Sequence, residues 1–232
     1  MSELSNAFEA LRYGGAMVYP LLALGVLALV IIFDRAALFY RCLRLPTSLL
    51  KIIESWNFTW DALDRELSTL GPRNAYARFF RVIIENRSHP AWWVESRAAD
   101  EAGEIEKTLG RGLWVLETIV TAAPLMGLLG TITGMMQAFK VIGGSNLVAP
   151  TQVTAGVAQA LIATALGLLI ALFALFAFNL FSRTQARSLD LMERLGTRLS
   201  DHIRLDQEGG APGGINSAPP FSAARERIEA RR

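Results

Sequence analysis

The chain has 232 residues, is 52% hydrophobic with a mean hydropathy of +0.32, and carries a formal net charge of only +2. That hydrophobic load argues against a soluble enzyme, and the near-neutral balance gives no nucleic-acid footprint. One cysteine, Cys42, excludes an intramolecular disulfide.

The apolar residues are clustered. Residues 1–13, "MSELSNAFEALRY", are mixed and acidic, unlike a cleavable leader. Tyr13 to Phe33 contains no charged residue, and Asp34-Arg35 follows where a leader would have a small-residue cleavage site. A bilayer core about 30 Å thick takes roughly 20 apolar helical residues to cross. The first spanning helix is therefore expected at 14–33. Its bulky residues, with Gly25 alone in its middle, read as a lipid-facing helix. Cys42, just beyond it, reads as a packing residue.

Residues 34–117 read as a cytoplasmic helical domain. Pro46 ends the continuation of the first helix, and Thr47 is placed to cap a helix near 48–56. A short amphipathic piece follows from Asp61 to Leu70, broken by Gly71-Pro72. Asn74 to Arg87 repeats apolar residues at Ala75, Phe79, Val82 and Ile83, a helical spacing. After Ser88-His89-Pro90, Trp92 to Leu116 reads as one long helix running into the second span. Glu101, Glu104 and Lys107 lie near one another on it. Trp92 and Trp93 read either as interfacial anchors or as core of the domain, with the core reading favoured. Glu54, Asp61, Asp64 and Glu66 read as a solvated face.

The second span is expected at 118–139, a turn at 140–154 around Gly143-Gly144-Ser145-Asn146 and Pro150, and the third span at 155–181. An amphipathic helix follows at 182–206, with Leu189, Met192, Leu195, Leu199 and Ile203 on one stripe. Residues 207–232 read as a flexible tail, because "GGAPGGINSAPP" cannot hold a helix. Residues 34–112 hold twelve Lys/Arg and the part after Ser182 holds nine, whereas 1–13 and the 140–154 turn hold one each. Positive residues near span ends stay cytoplasmic, which gives N-out, C-in topology.

The chemistry lies in the second and third spans. Lipid tails are as apolar as leucine, so helices associate in a bilayer through small residues that let backbones approach. The second span carries Pro124, Gly127, Gly130 and Gly134. The third carries Gly156, Ala160, Ala163, Gly167, Ala171 and Ala174 at intervals that keep one face small for about five turns. Thr131 and Thr164 fall at one depth near the midplane of these antiparallel helices, with Gln159 slightly above. The plain reading is that each hydroxyl bonds its own helix; a matched pair on small-residue faces also reads as a polar lining. Glu117 is placed at the cytoplasmic edge. No ionisable residue lies inside any of the three spans, although proton relays in membranes ordinarily need one. A titrating carboxylate would have to come from another chain.

No enzyme pattern stands out. His89 and His202 are scattered, no glycine-rich phosphate loop is present, and no nucleophile–base set appears. No cofactor or metal is expected.

Three stretches resemble the ExbB/TolQ/MotA proton-channel family, closest to ExbB and TolQ: "GGAMVYPLLALGVLALVIIFDR" (14–35), "APLMGLLGTITGMMQAF" (123–139) and "AGVAQALIATALGLLIALFALFAFN" (155–179). The second matches A-P-x-x-G-L-x-G-T-x-x-G-[IM]-M-x-x-F nearly position for position and is the most specific. The resemblance implies an all-α membrane protein assembled as a pentamer. It implies a central pore holding an ExbD- or TolR-like partner that supplies a titrating aspartate, with work passed to TonB or TolA. In it Thr131 and Thr164 match pore-lining threonines, and Pro124, Gly127, Gly130 and Gly134 match helix contacts. Gln159 stands where many members carry glutamate, and glutamine cannot titrate. A MotA-type stator would have four spans. The readings left open are an ExbB-like transducer of the TonB system, a TolQ-like subunit of the Tol-Pal system, and a non-conducting membrane scaffold.

Overall fold

The computed structural model describes residues 15–43, 47–55, 58–144 and 150–209. The proposed 1–13 segment, Pro46, most of the turn before Pro150 and the tail beyond Gly209 lie outside these residues. The described residues form helices and no strand: α1 Val18–Cys42, α2 Thr47–Glu54, α3 Trp60–Thr69, α4 Ala75–Glu85, α5 Ala91–Gly110, α6 Leu113–Gly144 and α7 Pro150–Gly209. Three segments are long and apolar enough to cross a membrane: Val18–Cys42, Ala91–Lys140 and Val153–Gln207. The chain is a multi-pass, all-helical membrane protein. Its described residues divide into two compact units, one within 15–41 and 106–188, the other within 42–105 and 189–209.

The second unit packs as a water-soluble bundle does. Asn74 caps α4, its side chain accepting from the amides of Tyr76 (2.9 Å) and Ala77 (3.2 Å). Helix spacing then turns Phe79, Phe80 and Ile83 inward. They share a core with Leu49 and Ile53 of α2, Leu63 and Leu67 of α3, Val94 and Ile105 of α5, and Met192, Leu195, Leu199 and Ile203 of α7. At Gly196 α7 comes so close to α4 that an added Cβ would lie 2.9 Å from Phe79 Cζ. Ion pairs decorate the rim, among them Arg78–Glu101 at 2.6 Å and Arg194–Glu54 at 3.6 Å. Glu101 thus pairs with Arg78 of α4. The two tryptophans separate: Trp93 stacks on His89 at 4.6 Å and lies under Arg97, whereas Trp92 is 69% exposed. Trp92 is therefore not a core residue. It sits on the outer side of α5, one position round from buried Ala91.

In the first unit, the expected continuous helix from Trp92 into the second span is broken. Helix α5 stops at Gly110, and Gly112 takes φ +84° before α6 begins at Leu113. A positive φ suits glycine because it has no Cβ to clash. Helix ends leave their last carbonyls without intrahelical partners; one side chain meets such a carbonyl here and a second bonds just before it. Buried Arg35 of α1 donates to Thr108 O at 3.3 Å while paired with Asp34 at 2.7 Å. Gln185 of α7 donates to Glu106 O at 3.3 Å. The third span and the following amphipathic stretch form one uninterrupted helix, α7, of 60 residues.

Candidate functional site in the paired spanning helices

Helices α6 and α7 run antiparallel along the small-residue seam. A Cβ added to Gly127 would lie 3.0 Å from Thr164 Cα, and one on Gly130 would lie 2.5 Å from Ala163 Cβ. Further along, Gly134 faces Ala160 and Gly156 O, and Gly156 faces Ala138. Toward the other end, a Cβ on Gly167 would fall 2.5 Å from Ala123 O. Backbone therefore touches backbone over about three turns. Ala160, Ala163, Ala171 and Ala174 are all buried. Pro124 lies inside α6 and is half-buried. It has no N–H to offer the preceding turn, a deficit tolerated where neighbouring helices pack closely.

Helix α1 lies parallel to α7, with Gly15 beside Gln159, Gly25 beside Ile170, and the rings of Phe39 and Phe181 5.2 Å apart. It also reaches α6, where Met17 Cβ comes within 3.5 Å of the position a Cβ on Gly130 would take. Its buried residues, Val18, Leu21, Ala28, Arg35 and Phe39, form one stripe; Val26, Val30 and Phe33 face outward.

The two threonines bond differently. Thr131 Oγ1 donates to Leu128 O, three residues back on its own helix, at 2.6 Å. Thr118, Thr121 and Thr133 also bond within α6. Thr164 Oγ1 donates across the seam to Gly127 O at 3.0 Å. The plain reading of own-helix bonding thus holds for Thr131 and fails for Thr164. The missing side chain of Gly127 lets the two backbones approach until the Thr164 hydroxyl can bridge them. Thr131 and Thr164 are both half-buried and lie within about one helical turn of Gly127. Gln159 lies about 7.5 Å along α7 from Thr164, its side chain packed on the backbone of Gly15, which has φ +71°. A Cβ at Gly15 would overlap the Gln159 amide.

Sequence spacing alone did not single out Gly15, Ala123 and Ala138 as contact partners, or Arg35 as a buried cap. The Gly14-Gly15 pair ahead of the first apolar run was the available signal for Gly15. Glu117 is exposed near the start of α6. No group of three or more His, Cys, Asp or Glu side chains is placed to hold a metal ion among the described residues.

An all-helical protein with three membrane-crossing segments, a glycine–alanine seam between two of them and hydroxyls at the seam defines a class of multi-pass membrane proteins built for close helix contact. A sequence model described as the MotA/TolQ/ExbB proton channel family matches residues 72–194, and the chain belongs to that family. The match takes in α4, α5, α6 and most of α7, and leaves α1 outside. An ExbB-like biopolymer transport protein of Synechocystis sp. is 32% identical over 163 residues, covering 64% of this chain and 60% of that protein. The biopolymer transport protein ExbB of Aquifex aeolicus is 38% identical over 45 residues, 19% of this chain and 30% of that one. The chain thus spans less than two thirds of either relative's length.

Proposed function

We propose that the chain is the channel-forming subunit of a proton-driven energy transducer of the bacterial inner membrane, ExbB-like in kind and not an enzyme. It sits N-out and C-in, as its positive charges direct. Several copies, five by resemblance, surround the membrane helix of an ExbD-like partner. That partner supplies the titrating aspartate that these spans lack. Thr131 and Thr164 line the proton path, and the released work passes to a TonB-like protein for outer-membrane transport.

The observation that carries this reading is the α6–α7 seam. It carries the Thr131 hydroxyl, bonded within α6, and the Thr164 hydroxyl, bonded across to Gly127, with no charged residue from Thr118 to Phe139 or from Val153 to Ser182. Membership of a proton-channel family and the ExbB-like names of two relatives support it. A hydroxylated seam without an ionisable group is half of a proton path, and the missing half has to arrive on another chain.

Proteoliposomes under an imposed pH gradient and potential test the reading. Three preparations are compared: the chain alone, with an ExbD-like partner, and with that partner's membrane aspartate changed to asparagine. Flux is expected only in the second. Equal flux from the chain alone would refute the shared carboxylate. A formed complex without flux would favour a scaffold.

A further inference from the structure

Counted along the sequence, Glu117 sits just before the second charge-free run. The packing places it deeper. A Cβ added to Gly112 would lie 3.9 Å from Ile31 Cγ2 of α1, and one on Gly130 would lie 3.5 Å from Met17 Cβ. Between those two contacts Glu117 falls level with Leu27, about 10 Å deeper in the membrane than Asp34, where the charges of α1 begin. On α7 the contacts of Gly110 with Gln185 and of Ala123 with Gly167 set it level with Leu175, about 12 Å deeper than Arg183. Exposed Trp114, one turn behind it, is of the type that marks a membrane–water interface. The Glu117 side chain leans back toward the start of α6, as helical side chains do, and recovers only part of those distances. It is exposed, and its carboxylate has no hydrogen-bond or ion-pair partner among the described residues.

A carboxylate facing lipid at that depth is costly, and ionisable residues inside membranes ordinarily face a bundle interior or a water-filled cavity. Glu117, Thr121, Pro124, Leu128 and Thr131 follow one another at intervals of 4, 3, 4 and 3 residues, one stripe of α6 beside the buried stripe of Leu116, Ile119 and Ala123. Where Thr131 faces the proton path, Glu117 faces its cytoplasmic half. A neighbouring copy does not neutralise it. Copies in a ring sit at one depth, so each brings the same charge-free levels. The nearest cations of any copy are Arg35, committed to Asp34 and Thr108 O, Arg183, and Arg111 beyond the Gly112 break. We propose that Glu117 is a second proton-carrying carboxyl, on the cytoplasmic side of the path. The inference rests on the partner-carboxyl reading above. The partner's acid breaks its O–H, the proton crosses on water, and an O–H forms on Glu117. Water then takes that proton to the cytoplasm and the Glu117 carboxylate is restored. The net change is a proton moved, with nothing oxidised or reduced.

The test uses this chain co-reconstituted with an ExbD-like partner in proteoliposomes under an imposed pH gradient and potential. Glu117→Gln keeps the shape and removes the titrating group, whereas Glu117→Asp keeps a carboxyl. The expected result is proton flux reduced about tenfold or more in the glutamine variant, with most of it kept in the aspartate variant and the complex intact in both. A second readout needs no flux. Dicyclohexylcarbodiimide modifies protonated carboxyls in apolar surroundings. In a complex whose partner carries asparagine in place of its membrane aspartate, it should label Glu117, read by peptide mass spectrometry, and less so as the pH rises. Full flux in Glu117→Gln overturns the proposal, and so does a Glu117 that the carbodiimide modifies at no pH. If Glu117→Gln fails to assemble, the labelling decides alone. Wild-type flux that survives aspartate-to-asparagine replacement in the partner would instead refute the partner-carboxyl reading itself.

Discussion

The two units of this chain solve packing in opposite ways. In the unit of residues 42–105 and 189–209, large side chains are inside: Leu63, Phe80, Ile83, Met192 and Leu195 are all fully buried. In the unit of residues 15–41 and 106–188, much of the large apolar surface is outside. Leu125, Leu128, Phe139, Leu161, Phe173 and Phe176 are exposed, while Ala123, Ala160, Ala163 and Ala174 are buried. Water drives leucine and phenylalanine inward because burying apolar area there is favourable by about 25 cal/mol per Å². Lipid gives no such drive, so close backbone contact between small residues takes over. The spanning windows are only 17–28% buried by their own chain. The inversion marks which unit is built to meet water and which to meet lipid and other helices.

The sharpest way to break the comparison is to put a large residue into the seam. Gly167→Leu would drive a side chain onto Ala123 O, where even a Cβ fits only at 2.5 Å. Backbone cannot move aside cheaply, so the expected outcome is loss of the folded protein, read as no monodisperse peak after detergent extraction. Adding bulk outside the seam, as in Leu168→Phe, should extract like wild type.

Next in size is the reverse change in the other unit. Leu195→Ala empties a fully buried position and should cost about 2–5 kcal/mol. Chemical denaturation followed by circular dichroism would register it. Leu172→Ala in α7, at an exposed position, should change the same midpoint little; an equal loss at both would erase the contrast between the units.

Removing the cap of α4 by Asn74→Ala should cost about 1–2 kcal/mol, because two amides lose their acceptor. Its signature is faster hydrogen exchange at Tyr76 and Ala77. Thr164→Val deletes the bond across the seam and should cost about 0.6–1.7 kcal/mol of membrane-unit stability. Thr131→Val, which loses a bond within one helix, should cost less. Steric-trapping measurements in bicelles would rank the two, and the opposite order would contradict the role assigned to Gly127. Smallest is Arg194→Ala, which ends an exposed 3.6 Å pair with Glu54. It should fall within about 1 kcal/mol and shrink further with added salt.

Much of the fold was legible because it is periodic. Charge-free runs announced the three spanning segments, and the small-residue intervals announced which helices touch. The stripe from Leu189 to Ile203 announced a buried face. These signals are local: 3.6 residues per turn decides which side chains share a face. The sequence by itself therefore determined the helices, their apolar character and the family. Tertiary structure alone decided what stands opposite each face. It sent the Thr164 hydroxyl to Gly127 rather than to its own helix, and set Gln159 against Gly15. It turned Arg35 inward to a helix end and left Trp92 outside. It also broke the α5–α6 run at Gly112, where a positive φ costs glycine little. Each of those outcomes depends on how near a second backbone comes, a distance fixed by residues dozens of positions away that no local spacing records.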